Sequence, residues 1–248
     1  MKLHDNTILI TGGSSGIGLE LASRLSKNNN ILICGRSKEK LAAAKQKIPL
    51  IQVFSCNLAI DADRQSLFEW VRDHHPDCNV LINNAALVHR TGFGSDPAMI
   101  QKSILEIQTN LVAPIVLSKL FLPILEQHQD PAIINVTSGL VYAPKSAYPI
   151  YNATKAALHS FTQTIRMQLD DSPVAIKEVL LPVVDTPWHE GNVPKMAISP
   201  EEAVSKMLRG LEKGKGEIRV GKVKLLHLIS RIAPSLASKI INPGLCNR

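Results

Sequence analysis

Residues 8–18 read Ile8-Leu9-Ile10-Thr11-Gly12-Gly13-Ser14-Ser15-Gly16-Ile17-Gly18, and this run decides the fold. Three aliphatic residues in succession predict a buried strand, the small residues predict a turn, and Ile17, Leu21 and Leu25 then recur at helical spacing. Glycines let such a turn bend sharply and bring main-chain N–H groups close to a phosphate, and the N-terminus of the following helix adds about half a positive charge. Alone, the run fits a phosphate-binding turn or a plain connection between a strand and a helix. The rest of the chain has to decide between them.

Outward from this unit, apolar runs recur at 31–34, 50–55, 80–82, 132–137, 174–181 and 217–220, giving seven strand candidates with 7–11. Their Val, Ile and Leu content without strict alternation predicts strands covered on both faces. Helical patterns between them, among them Leu67, Trp70 and Val71, a long one over 97–127 bent near Pro114 and Pro123, and one over 151–169, are long enough for crossovers. The chain therefore reads as α/β, a doubly wound sheet of seven mainly parallel strands with helices on both faces. No domain boundary interrupts it, so residues 1–248 read as a single domain with 222–248 as a basic amphipathic extension.

Composition agrees: 45% of the 248 residues are apolar and 20% charged, and the 14 glycines and 15 prolines are not clustered, which excludes collagen-like and low-complexity chains. The apolar stretch 107–125 carries Pro114, Lys119 and Pro123 and makes a poor membrane span, and no cationic, apolar leader precedes the first strand. A cytoplasmic location is the expectation. Cys34, Cys56, Cys78 and Cys246 form no CxxC pair and have no histidine cluster beside them, so reduced packing residues are expected, with no metal and no disulfide framework. The net charge of +7 is uneven, because residues 1–212 hold 20 basic and 20 acidic side chains whereas 213–248 hold eight and one.

The second strand ends Cys34-Gly35-Arg36-Ser37. In a dinucleotide-binding fold a carboxylate at this tip holds a ribose 2′-hydroxyl, whereas Arg36 and the Ser37 hydroxyl could neutralise a 2′-phosphate. NADP(H) is therefore favoured over NAD(H). At the end of the fifth strand candidate stands Ser138, followed by Tyr151 and Lys155, which at i and i+4 share one helix face.

Taken together, 11–18, Asn83-Asn84-Ala85-Ala86, Asn110, Ser138 and the Tyr151/Lys155 pair resemble the short-chain dehydrogenase/reductase family over about residues 5–220, and within it the DltE-like oxidoreductases. The resemblance implies a Rossmann-type fold and a hydride transfer between NADP(H) and a carbonyl or alcohol substrate. Tyr151 is then the general acid or base, Lys155 its electrostatic partner and a ligand of the nicotinamide ribose, Ser138 the residue that orients the substrate oxygen, and Asn110 the holder of a relay water. It also implies cofactor contacts from Gly12, Ser14, Ser15, Gly16, Ile17, Gly18, Arg36, Ser37, Asn57, Leu58, Asn84, Ala85, Ala86, Tyr151, Lys155, Val184 and Thr186. Bringing a phenol from a pKa of about 10 to about 7 takes roughly 4 kcal/mol. A helix N-terminus supplies only about 0.3–1 kcal/mol, and an ammonium at about 5 Å adds on the order of 3 kcal/mol.

Three positions depart from the family pattern: Ala86 stands where glycine is usual, Asn57 where Asp is usual, and Pro182-Val183 where Pro-Gly usually opens the loop. The loop 185–198, with Trp188, His189, Gly191 and Pro194, reads as a mobile cover. Trp188, Tyr142, Tyr148, Val141 and Val88 would form an apolar pocket for a hydrophobic ketone or aldehyde, with His89 and His189 read as surface side chains.

In the tail, Leu225, Ile229, Ile232, Leu236 and Ile240 fall on one stripe, expected to pack on the sheet, a lid or a second subunit. Contact of this basic tail with an anionic membrane or polymer is the alternative. Nucleic acid is not expected, because no aromatic residue or known motif accompanies the tail's charge. The family implies a homodimer or homotetramer through the fourth and fifth helices. A dinucleotide-binding regulatory or scaffold protein with little turnover is the competing reading, and the intact Ser138, Tyr151 and Lys155 argue against it.

Overall fold

A computed structural model of the chain describes residues 2–189 and 193–244. Strands β1 (Thr7–Thr11), β2 (Asn30–Gly35), β3 (Gln52–Ser55), β4 (Cys78–Asn83), β5 (Ala132–Ser138), β6 (Ala175–Leu181) and β7 (Glu217–Arg219) form one sheet in the order β3-β2-β1-β4-β5-β6-β7. Every neighbouring pair is parallel. Strand order reverses between β1 and β4, and in doubly wound sheets the crevice beyond the carboxyl ends at that point is where ligands bind.

Alternation along the strands explains the unbroken apolar runs. Ile8 and Ile10 of β1 face one core layer with Leu21 and Leu25 of α1 (Gly16–Leu25) and Val204 and Met207 of α7 (Pro200–Glu212). Leu9 faces the other, with Leu67 and Val71 of α3 (Asp61–His74) and Leu117 and Phe121 of α5 (Ala113–Leu125). Each such side chain contributes about 1.5–3 kcal/mol by leaving water. Helix α2 (Lys38–Lys47) completes the first layer through Leu41 and Ala44.

The long helical pattern over 97–127 is one continuous segment, Met99–Leu125. Helix α4 (Met99–Ile107) runs through a π-helical turn, Gln108–Val112, into α5. Pro114 is accommodated at the start of α5, where its missing N–H matters least. By length and mean hydropathy (1.4) this segment could cross a membrane, but Leu117, Phe121 and Leu125 are fully buried against the sheet.

Helix α6 (Pro149–Gln168) carries the Tyr151/Lys155 pair. The tail differs from the single stripe expected. Pro234 cannot continue the preceding helix, so the chain forms α8 (Val223–Ile232) and α9 (Pro234–Ile241), joined at Ala233. Ile229 is half-buried, whereas Leu225, Ile232, Leu236 and Ile240 are exposed, so the chain's own sheet does not cover the stripe.

Candidate active site

The glycine turn opens at the switch point. Gly12 (φ +66°) and Gly16 (φ +52°) adopt the left-handed conformation that side chains disfavour. A Cβ on Gly12 would lie 2.9 Å from Ala85 Cα, and one on Gly18 would run into the Gly12 carbonyl. Ser15, which precedes α1, makes no side-chain cap, so no side chain there competes with an anion for the first amides of the helix. Ser14 Oγ faces Gly35 at the β2 tip, and Ile17 is half-buried.

Thr11, which opens the 11–18 motif but has no role assigned from the sequence, fastens this turn to the β4 loop. Its hydroxyl accepts hydrogen bonds from the main-chain N–H groups of Asn84 and Ala85, both at 3.0 Å. The Asn84 amide in return donates to the Thr11 carbonyl at 3.0 Å. Across the crevice the Thr186 side chain packs against Gly16. Val184 is buried and pairs with Ile198 in a bridge, so the Pro182 loop keeps a defined path despite its changed opening.

At the outer end, Arg36 is exposed at the tip of β2. Ser37 caps α2 by accepting from Lys40 N (3.2 Å), and its hydroxyl donates to Glu39 (2.8 Å). That brings a carboxylate to the β2 tip, beside the exposed side chain of Arg36. Asn57 uses its side-chain oxygen on Ala59 N (3.2 Å), while its own N–H donates to Asp63 (2.7 Å), so the carboxylate expected at this corner comes from α3. Leu58 is buried and Ala86 exposed, the latter adding its methyl without filling a packed space.

Ser138 ends β5, and its hydroxyl accepts from Leu140 N at 3.2 Å. Lys155 is 2% exposed, and its ammonium donates to the Val136 carbonyl at 2.8 Å and lies 5.8 Å from the centre of the Tyr151 ring. Burial pulls Lys155 down to about 8, opposed by the negative Glu178. Burial pushes Tyr151 up to about 12, with Ser138 opposing and the charge of Glu106 adding to the rise. The lowering toward 7 expected from Lys155 is absent from this arrangement, in which burial outweighs the hydrogen bond with Ser138. The Tyr151 phenol is therefore protonated at neutral pH.

Asn110 is fully buried in the π turn. Its side-chain oxygen accepts from Leu87 N and its amide donates to Leu87 O, both at 2.7 Å, with a further bond to Thr154 at 3.3 Å. The side chain thus clamps the loop after β4, and any water relay at Asn110 would fall to its main chain.

Two buried carboxylates flank the site. Glu106 accepts from His89 N (2.7 Å) and contacts His89 Nδ1 (2.8 Å), which gives His89 a partner that the surface reading lacked. Fully buried Glu178 accepts from Thr137 Oγ1 (2.5 Å) and lies 2.9 Å from His159 Nδ1. Only the folded sheet brings Glu178 on β6 beside α6. Tyr142, expected in the pocket wall, instead donates to Glu217 (2.7 Å), accepts from Arg219 (2.9 Å), and packs edge-on against His159 and His227. Tyr148 and Trp188 do meet, with ring centres 5.9 Å apart. The His189 side chain and residues 190–192, including Gly191, lie outside the described residues.

The residues present fit a nicotinamide dinucleotide: a glycine cradle that any Cβ would obstruct, uncapped amides at a helix N-terminus, and a crevice leading to Ser138, Tyr151 and Lys155. The comparisons agree. The family model described as short chain dehydrogenase matches residues 6–197. An oxidoreductase from Bacillus subtilis (strain 168), described as uncharacterized and named DltE, is 44% identical over 239 residues, covering 93% of this chain and 94% of its own. Among solved structures, a short chain dehydrogenase from Burkholderia cenocepacia in complex with NADP superposes with a TM-score of 0.85 at 24% identity, covering 97% of this chain and 99% of that one. One from Burkholderia phymatum in complex with NAD gives 0.82 at 16% identity, covering 94% and 96%.

Proposed function

Because the chain belongs to the short-chain dehydrogenase/reductase family, we propose that it is an NADP(H)-dependent oxidoreductase that reduces a hydrophobic ketone or aldehyde to the alcohol. The observation that carries this reading is the convergence of Ser138, Tyr151 and Lys155 at the carboxyl end of β5, beside the glycine turn. When bound, a reduced nicotinamide supplies the hydride. Gly12, Ser14, Ser15, Gly16, Ile17 and Gly18 hold the pyrophosphate, Arg36 meets the 2′-phosphate, and Val184 and Thr186 close over the nicotinamide end.

Ser138 orients the substrate oxygen, and Tyr151, fully protonated at neutral pH, donates to that oxygen as charge develops on it. Lys155 stabilises the phenolate left behind and is the near source of the replacement proton. Tyr148 and Trp188 favour an apolar substrate. Exposed Ile100, Ile104, Leu105 and Ile107 on α4 suit a homodimer or homotetramer in which α4 and α5 pair between copies. The buried free thiols of Cys34, Cys56 and Cys78 suit a reducing, cytoplasmic setting.

The test is a panel of ketones and aldehydes followed by loss of NADPH absorbance, with Tyr151→Phe alongside. Turnover of an apolar carbonyl by the parent but not by the variant is expected. Equal rates for the two would remove Tyr151 from the chemistry.

A further inference from the structure

The charge excess of this chain is gathered at one place far along the sequence from the catalytic residues. A cleft of about 740 Å³ lies between the end of α7, β7 and the start of α8, lined by Lys206, Arg209, Lys213, Lys215, Arg219 and Lys224, with Glu217 among them. Lys206 pairs with Glu202 (2.5 Å) and Arg219 with Glu217 (2.6 Å). Lys213, Lys215 and Lys224 have no acidic partner among the described residues, and all three are exposed. With Lys206 and Arg219 paired, Arg209, Lys213, Lys215 and Lys224 remain to repel each other around one cleft, and an anion relieves that repulsion.

Lys224 also begins a second feature. Leu225, Leu228 and Ile232 share a face of α8 and are 58%, 55% and 75% exposed. Leu236 and Ile240 of α9 are exposed as well, one helical turn apart. Lys224 and Arg231 flank the apolar face of α8, and the sequence has no Asp or Glu after Glu217.

This is not a loose tail with a free choice of face. Val223 is buried against Gly139, His227 packs on Tyr142, Lys145 donates to the Ile241 carbonyl (3.0 Å), and Asn242 is bonded to Ser146 N (2.8 Å) and Pro144 O (2.9 Å). The helix pair is pinned along one side and presents leucine and isoleucine on the other.

We propose that the basic cleft and the exposed face of α8 and α9 form one docking surface for an anionic phospholipid bilayer. Phosphate headgroups meet the cleft cations while the aliphatic side chains enter the headgroup–acyl boundary. A second copy of the chain suits this face less well, because two-fold pairing would set its cations against their own equivalents, with no carboxylate after Glu217 to pair with them and Glu217 itself held by Arg219 and Tyr142. A nucleic acid would use the charge but not the leucines, and residues 220–248 contain no Phe, Tyr or Trp on which a base could stack. The assignment is independent of the redox reading.

The test uses the full chain, sedimented with vesicles of phosphatidylcholine alone and with vesicles containing about one-third phosphatidylglycerol, at low and high salt. Binding only to the anionic vesicles, weakened by salt, is expected. The triple variant Lys213→Ala, Lys215→Ala, Lys224→Ala should bind about a hundredfold more weakly, since each lysine near an anionic bilayer is worth about fivefold. Leu228→Ser with Ile232→Ser should lose at least about tenfold. All five substituted positions, 213, 215, 224, 228 and 232, reach solvent, so the variants should keep the parent's circular dichroism and Tm. No binding by the parent chain, equal binding to both vesicle types, or unchanged binding by the Leu228/Ile232 variant would overturn the proposal. So would a fall in oligomer mass in that variant without vesicle binding by the parent, which would assign the face to a second copy.

Discussion

At Lys155 burial and the charge of Glu178 oppose each other and burial decides, whereas at Tyr151 burial and the charge of Glu106 act together against the hydrogen bond with Ser138. With its phenol pushed up to about 12, Tyr151 does not titrate in the working range, whereas Lys155, pulled down to about 8, does. Reduction needs the lysine charged, so kcat/KM for a carbonyl should be flat below about pH 8 and fall up to tenfold per pH unit above it. In Lys155→Arg the residual activity should lose that limb, because a guanidinium keeps its proton; an unchanged limb would assign it to another group. Tyr151→Phe should lower kcat by a factor of about 10² or more while leaving cofactor affinity nearly unchanged, and Lys155→Ala should impair both, as parallel rate measurements and cofactor titrations would show. These two residues were legible because i, i+4 spacing fixes a shared helix face. Glu106 and Glu178 were not, since neither lies near Tyr151 or Lys155 in a recognisable pattern and only the π turn and the β5–β6 pairing bring them in.

Among the elements, the strands were readable because each is buried on both faces, as Ile8, Leu9 and Ile10 illustrate by facing two different layers. The break in the tail was carried by Pro234, which a stripe traced through apolar residues alone passes over. What joins elements was harder to see. Thr11 reads as one more strand residue, yet its hydroxyl is the acceptor for two main-chain N–H groups of the β4 loop. Thr11→Val would leave both without that partner at about 1–2 kcal/mol each. A drop in Tm of roughly 5–15 °C is expected, together with weaker dinucleotide binding as the two halves of the crevice loosen. A calorimetric scan with unchanged Tm would show that the link is dispensable. Gly18→Ala should also cost cofactor affinity, because its Cβ meets the Gly12 carbonyl rather than a side chain that can move, and an unaltered Kd would count against the cradle described here.

Viewed whole, the molecule separates its tasks. The switch-point crevice lies on a sheet assembled from charge-balanced sequence, while the excess cations collect in 213–248, where the sheet ends. Exposed apolar side chains gather on α4 and on the α8–α9 pair, and the second of these carries cations without acids. Ile100→Lys with Ile104→Lys should therefore reduce the sedimenting mass by dissociating copies that pair through α4, with no effect on vesicle binding. On the proposed reading this sheet holds a nicotinamide dinucleotide and Arg36 selects the phosphorylated form, even though Glu39 and its bond to Ser37 stand nearby. A fluorescence titration of the purified chain with NADPH and NADH in parallel, repeated on Arg36→Ala, tests it most directly. Tight NADPH binding, weaker NADH binding and a loss in Arg36→Ala confined largely to NADPH are predicted; binding of neither cofactor, or an equal loss for both, would contradict the account.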